Sequence, residues 1–238
     1  MAQEPFGVSA HAVSSLLSAC ASAGDLATGE RVAELWCQGG ASNEFVTAAL
    51  IDMYGKCGAV QQAQSVFDGI EMPDEVCFAA MVSAYALAGD LSAALSLLER
   101  MAQEPFGVSS HAVSALLSAC TSAEDLAVGE RVAELWRERG ASTEYVNNAL
   151  ISMYGKCGAV QQAQSVFDSV DKPDAVCYTA ILSAYALAGD LSAALSLLER
   201  MAQEPFGVSS HAVSALLSAC ASAGDLATGE RVAELWRE

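Results

Sequence analysis

"ALIDMYGKCGAVQQAQSVFD" spans residues 49–68, and residues 149–168 repeat it with one change, Asp52 becoming Ser152. Its apolar residues fall at helical spacing. Leu50, Ile51 and Tyr54 make one stripe, and Val60, Ala63, Val66 and Phe67 make the next. Between the stripes stands Gly-Lys-Cys-Gly, with Gly58 suited to the left-handed residue that closes a helix. The pattern predicts a helix, a tight corner and a second helix, and no strand-like alternation competes with it. A phosphate-cradling loop would need G-x-x-x-x-G-K-[ST]. Here Lys56 is followed by Cys57, and Leu50 stands where the first glycine belongs, so that reading fails.

Outward from this hairpin the chain repeats itself. Residues 1–38 and 201–238 are identical at 34 of 38 positions, and residues 89–120 return unchanged as 189–220. Each hundred residues divides into three helical hairpins. "SAHAVSSLLSACASA" and "DLATGERVAELW" form the first, the quoted stretch lies in the second, and "DEVCFAAMVSAYALA" with "DLSAALSLLERMA" forms the third. Ser9, Asn43 and Asp74 are suited to cap the leading helices, and Asp25 and Asp90 the following ones, after Gly24 and Gly89. One hairpin cannot bury its apolar face alone, but stacked neighbours bury it for one another. The expectation is an all-α solenoid of about fourteen helices in a single array over 1–238.

Composition agrees and narrows the function classes. Of 238 residues 53% are hydrophobic, only 7% are aromatic and five are proline, as in an ordered helical protein. No apolar run reaches the roughly 18–20 residues of a membrane span, so no membrane partner is expected. "MAQEPFGVSA" has the character of neither a secretory signal nor an Arg-rich transit peptide, so no address is expected from it. The eight cysteines follow the repeat (Cys37 excepted), with no C-x-x-C pair, and read as small buried thiols of a reducing compartment. The three histidines lie one hundred residues apart, so no metal and no cofactor is expected.

The motifs resemble the pentatricopeptide repeat (PPR) family, and within it the PLS class of alternating P, L and S motifs. "LLSAC…GDLATGERV" is similar to the L motif, "ALIDMYGKCG…AQSVFD" to the S motif, and "PDEVCFAAMVSAYALAGDLSAALSLLERM" to the P motif. The lengths resemble that class too: L at 10–43, S at 44–74, P at 75–109, L at 110–143, S at 144–174, P at 175–209 and a partial L from 210. A tetratricopeptide array would instead keep a constant period of about 34 residues. The near-identity of successive triplets suggests a consensus-designed or amplified array. The resemblance implies a right-handed superhelical solenoid that binds single-stranded RNA, one base per repeat, as in site recognition for organellar RNA editing. It implies a chloroplast or mitochondrial setting. No zinc-deaminase signature H-x-E…C-x-x-C is present, so the chain is not expected to be an enzyme or to take a small-molecule substrate.

Base selection in this family is carried by the fifth and last residues of a motif. Transferred here, the S pairs are Ala48 with Asp74 and Asn148 with Asp174; the P pairs are Ala79 with Ser109 and Thr179 with Ser209; the L pairs are Ser14 with Asn43 and Ser114 with Thr143. Asn148 with Asp174 resembles a pyrimidine-reading pair that favours uracil. Ala48 and Ala79 offer no side-chain hydrogen bond. The second residue of each motif should pack on bases: Val76 and Val176, Phe45 and Tyr145, and His11, His111 and His211. For Phe45 and Tyr145, filling the seam between hairpins is an equal alternative.

Net charge is −18, the reverse of the basic face an RNA binder usually carries. The leading helices, which should line the RNA-facing side, hold only Glu44, Asp52, Lys56, Glu75, Glu144 and Lys156. Most acidity therefore belongs on the outer layer, partly screened from the groove over a Debye length of about 8 Å. Lys56 and Lys156 are the candidate phosphate contacts, and two lysines imply modest affinity. Two other readings stand beside RNA binding. One is a protein-interaction scaffold, for which the resemblance implies MORF-type partners, the multiple organellar RNA editing factors. The other is an array with no evolved ligand.

Overall fold

The computed structural model describes residues 9–38, 44–138 and 143–237, and every strand-free segment of regular structure among them is helical. In chain order the helices are α1 (Ala10–Ala23), α2 (Leu26–Gln38), α3 (Glu44–Lys56), α4 (Val60–Asp68), α5 (Glu75–Leu87), α6 (Leu91–Gln103), α7 (Ser110–Ala119), α8 (Leu126–Glu138), α9 (Glu144–Lys156), α10 (Val160–Asp168), α11 (Ala175–Ala188), α12 (Leu191–Ala202), α13 (Ser210–Ala223) and α14 (Leu226–Leu235). No helix among the described residues is long and apolar enough to cross a membrane. The helices fall into two compact units, residues 1–119 and 120–238.

The helix starts follow from short polar side chains. Ser9 accepts a hydrogen bond from the Ala12 N–H, Asp74 from Cys77, Asp90 from Ala93 and Asp25 from Thr28, each satisfying an orphan amide of the first turn. Asn43, the remaining expected cap, lies outside the described residues. The quoted corner turns as its sequence demands, with Gly58 at φ 76°.

The second triplet departs from its copies at the corner after α7. α1 and α13 run to Ala23 and Ala223 and close on Gly24 and Gly224 at φ 67° and 70°. Glu124 stands at the equivalent position, and a side chain there makes the left-handed conformation costly. α7 ends instead at Ala119, and a 3-10 turn over Ala123–Asp125 makes the corner. The Asp125 carboxylate accepts from the Thr121 and Ser122 amides at 2.9 Å and from the Ser122 hydroxyl at 2.8 Å. These bonds, the Thr121 amide first, hold its pKa below the ordinary carboxylate value.

Within the first unit α1, α3, α5 and α7 pack side by side as an inner layer, while α2, α4 and α6 fold back as an outer layer. Within the second, α9, α11 and α13 do the same, backed by α10, α12 and α14, and α8 packs on α9. Burial tracks this layering. α5, enclosed by neighbours, buries Cys77, Phe78, Ala79, Met81, Val82, Ala84 and Ala86, which cover most of its circumference. α6 buries only Ala94, Leu97, Leu98 and Met101, one stripe at helical spacing, and leaves Ser92, Ser96, Arg100 and Gln103 exposed. Phe67 meets Phe78 edge-on at 5.2 Å with Arg100 over the Phe78 ring at 5.7 Å, and Phe167 meets Tyr178 likewise at 5.1 Å.

The inner helices touch most closely at a glycine. A Cβ on Gly55 would lie 2.6 Å from the Ala84 Cβ and 2.9 Å from its Cα; on Gly155 it would lie 2.5 and 3.0 Å from the same atoms of Ala184. The cysteine expectation needs one correction. Cys20, Cys77, Cys120, Cys157, Cys177 and Cys220 are buried and Cys57 is half-buried, but Cys37 is exposed. It sits near the end of α2, beyond the stripe formed by Gly29, Ala33 and Trp36.

Candidate nucleic-acid interface

In each unit the inner layer carries a cleft between neighbouring inner helices, α3 and α5 in the first and α9 and α11 in the second. In the first, a cleft of about 390 Å³ is lined by Phe45, Ala48, Asp52 and Lys56 from α3, by Asp74, Val76 and Ala79 at and within the start of α5, and by His111 of α7. In the second, a cleft of about 340 Å³ is lined by Asn148, Ser152, Gly155 and Lys156 of α9 and by Val176, Thr179, Ser183 and Leu187 of α11. Positions chosen from sequence for three separate roles thus share one surface: Ala48, Asp74 and Ala79 with Phe45, Val76, His111 and Lys56, and Asn148 and Thr179 with Val176 and Lys156. Ser152 and Ser183 were not foreseen. Each lies one helical turn beyond an expected residue, at i+4 from Asn148 and Thr179, which is the signal that finds them.

The clefts differ in charge at two places: Ser152 stands where the first has Asp52, and Asp74 lines the first cleft while Asp174 does not line the second. In the first, Lys56 Nζ meets Asp52 Oδ2 at 2.8 Å, and Asp74 adds a second carboxylate. In the second, Ser152 replaces the acid, and no carboxylate lines the cleft. Lys156 has no ion-pair partner there among the described residues and is exposed. Among the described residues, Lys156 is the one charged side chain that lines the second cleft. That cleft also carries hydrogen-bonding side chains.

Those side chains are held in place. Asp174 caps α11, its Oδ1 accepting the Cys177 N–H at 2.7 Å. The Cys177 thiol donates to Asn148 Oδ1 at 2.7 Å. Burial pushes that thiol up to about 11, and the adjoining Asp174 carboxylate adds to the rise against the lowering effect of its backbone bond, so it is a protonated donor at neutral pH. The Thr179 hydroxyl donates to the Ala175 carbonyl at 2.7 Å and lies 2.9 Å from Ser209 Oγ. With its own hydrogen so placed, Thr179 accepts from Ser209, whose oxygen in turn accepts the Ala212 N–H at 3.2 Å. Both hydroxyl hydrogens are thereby committed, and the pair presents lone pairs alone.

The remaining expected residues are scattered. Phe45 is 76% exposed and Tyr145 61%, so neither ring is packed away in a seam between hairpins. His11 and His211 are exposed on the first turns of α1 and α13. Ser14 donates to the Phe45 carbonyl at 3.4 Å, Ser109 accepts the Ala112 N–H, and Thr143 caps α9. Ser114 is only 3% exposed, and its hydroxyl has no partner among the described residues. Its proposed counterpart role with Thr143 would require that hydroxyl to reach a base from a buried position. Asn43 lies outside the described residues.

Comparison with known proteins follows this geometry. Residues 71–235 match the family model "Pentacotripeptide-repeat region of PRORP", and residues 48–72 match the model of a single PPR repeat. The pentatricopeptide repeat-containing protein At4g18520, chloroplastic, of Arabidopsis thaliana is 34% identical over 222 residues, which are 92% of this chain and 36% of that protein. The mitochondrial protein At4g31070 of the same plant is 34% identical over 77% of this chain and 30% of its own length. The chain thus spans about a third of the length of these curated relatives. Among solved structures, maize PPR10 superposes with a TM-score of 0.73 at 22% identity, over 92% of this chain and 33% of that one. PPR10 in complex with an 18-nt psaJ RNA element gives 0.74 at 18% identity, over 95% and 34%. With a repeat-family model covering most of the chain and a matching helical-repeat fold, the chain belongs to the pentatricopeptide repeat family.

Proposed function

We propose that the chain is a modular binder of single-stranded RNA that holds the strand along the inner helices of each unit. The observation that carries this reading is the convergence of base-selecting, base-packing and phosphate-contacting candidates on one cleft per unit. The solved complex of PPR10 with an RNA element, a protein of the same fold, supports it. The second unit is the principal reader. Asn148 with Asp174 selects a pyrimidine, uracil preferred, and Lys156, which is exposed on the same cleft, meets phosphate. In the first unit Ala48 with Asp74 and Ala79 with Ser109 contribute little selectivity, and Phe45 stacks on bases for about 1–3 kcal/mol.

The finer reading is a PLS-type array with motif boundaries at 43/44, 74/75, 109/110, 143/144, 174/175 and 209/210, acting in organellar RNA editing as a recognition module without catalysis. The chloroplastic and mitochondrial names of the relatives support that setting. A second reading, a scaffold for MORF-type editing factors, is favoured by one feature: the first cleft pairs exposed Phe45 and Val76 with an ion-paired lysine and two carboxylates, better suited to a peptide than to phosphate.

The test is fluorescence anisotropy with short uridine-rich and purine-rich RNAs over a salt series. Preferential binding of the uridine-rich strand, weakened by Asn148→Ala, is expected. Lys156→Ala should lower the salt slope by about 0.7, while Lys56→Ala should change it less. Equal binding of both RNAs, or none, refutes base reading.

A further inference from the structure

We propose that Cys177 is a positioning residue for base selection: its thiol pins the amide of Asn148 while its backbone holds the carboxylate of Asp174, so that one donor and acceptor pattern faces the base. The proposal rests on the RNA-reading function above.

Asn148 lies on α9 and Asp174 at the start of α11, and Cys177 in the first turn of α11 touches both. Its N–H donates to Asp174 Oδ1 and its Sγ–H to Asn148 Oδ1, each at 2.7 Å, with the Asp174 carboxylate a second acceptor beside the thiol, and the side chain is fully buried. A thiol supplies one hydrogen, and its sulfur is a weak acceptor, so the contact favours the amide carbonyl over the amide NH₂. With Oδ1 turned to the thiol, Nδ2–H₂ is left to the cleft that Asn148 lines.

The consequence is chemical. Uracil carries a carbonyl oxygen at C4 where cytosine carries an amino group, so an outward NH₂ suits uracil and opposes cytosine. An amide free to turn over could serve either base, since its two faces exchange a donor for an acceptor. The pin therefore acts on discrimination between pyrimidines more than on affinity. The first unit supplies an internal comparison. Cys77 donates its N–H to Asp74 at 2.8 Å, so the cap is kept, but Ala48 stands where Asn148 stands and there is no amide to orient.

The experiment has one readout without RNA and one with it. The infrared S–H stretch of Cys177, isolated as the difference between the unsubstituted chain and Cys177→Ala, should lie at the low frequency of a hydrogen-bonded thiol and rise in Asn148→Ala. A band unmoved by Asn148→Ala overturns the pin. In anisotropy with two RNAs differing by uracil or cytosine at one position, an unsubstituted preference of about tenfold should collapse in Cys177→Ala and persist in Cys177→Ser, which keeps a donor. Circular dichroism checks that both variants keep the fold, and a loss of affinity for the two RNAs alike with the preference kept overturns positioning in favour of a packing role. Retention of the preference in Cys177→Ala, with loss in Asn148→Ala, overturns positioning and leaves base reading intact. Absence of any preference in the unsubstituted chain overturns base reading and this proposal together.

Discussion

Replacing Gly155 with alanine tests the packing that forms the second cleft. In isolation the change favours a helix by about 1 kcal/mol. Here the new Cβ would lie 2.5 Å from the Ala184 Cβ and 3.0 Å from its Cα, and neither atom can move without its backbone. Overpacking against such a neighbour costs about 1–3 kcal/mol, and a backbone contact belongs at the upper end. The expected net is destabilisation by about 2 kcal/mol, a fall of about 1 M in the urea midpoint followed by far-UV circular dichroism. Gly129→Ala is the control. Its Cβ would come equally close, 2.5 Å, but to Met153 Sδ, on a flexible chain that can turn aside. That variant should lose less than about 1 kcal/mol, because helix propensity offsets a relievable contact. An unchanged or raised midpoint in Gly155→Ala would show that α9 and α11 do not approach as described, and propensity alone would then have decided the sign.

Four further outcomes follow. One thiol per chain should react quickly with a disulfide reagent under native conditions, and peptide mapping should find it at Cys37, since the others are buried or half-buried. Stability should hold to about pH 8.5, the region of the unperturbed thiol, and then fall as pH rises through about 11 and 12, the values to which burial pushes Cys177 and Cys120. The sign follows because the folded state holds these protons more tightly than the unfolded one, so alkali favours unfolding; urea midpoints across that range check it. Asp190→Ala removes the cap on the Ala193 N–H and should cost about 1 kcal/mol by the same assay. Glu124→Gly should let α7 extend as α1 does, seen as added helical signal by far-UV circular dichroism and as shifted Thr121 and Ser122 amide resonances once their bonds to Asp125 are lost.

The fold was legible because each hairpin states its own rules locally. Apolar spacing in 50–67, caps at Ser9, Asp74 and Asp90 and the glycine at 58 are all contained within a few residues. The cleft was legible in part for a different reason: family resemblance named Ala48, Val76, Asn148 and Thr179, and stacking brought them to one surface. Contacts between hairpins were not legible. Cys177 and Asn148 are separated by 29 residues, so nothing in either local stretch marks their contact, and the resemblance pairs Thr179 and Ser209 as base selectors and not as partners of one another. Gly55 read as part of a corner, although its function is close approach to Ala84 on another hairpin. Ser114 looked like its counterpart Ser14, yet one is buried and the other half-exposed, a difference of surroundings and not of sequence. The effect of Glu124 needed only the comparison of one position across three copies.

In the proposed function RNA lies on the inner helices, chiefly those of the second unit. Photocrosslinking with a short uridine-rich RNA carrying 4-thiouridine, followed by peptide mapping, tests it most directly. Adducts should concentrate on α9 and α11 around Asn148, Lys156 and Val176, with fewer on α3 and α5 around Phe45 and Val76. Adducts on α10, α12 or the other outer helices, or none at all, would contradict it.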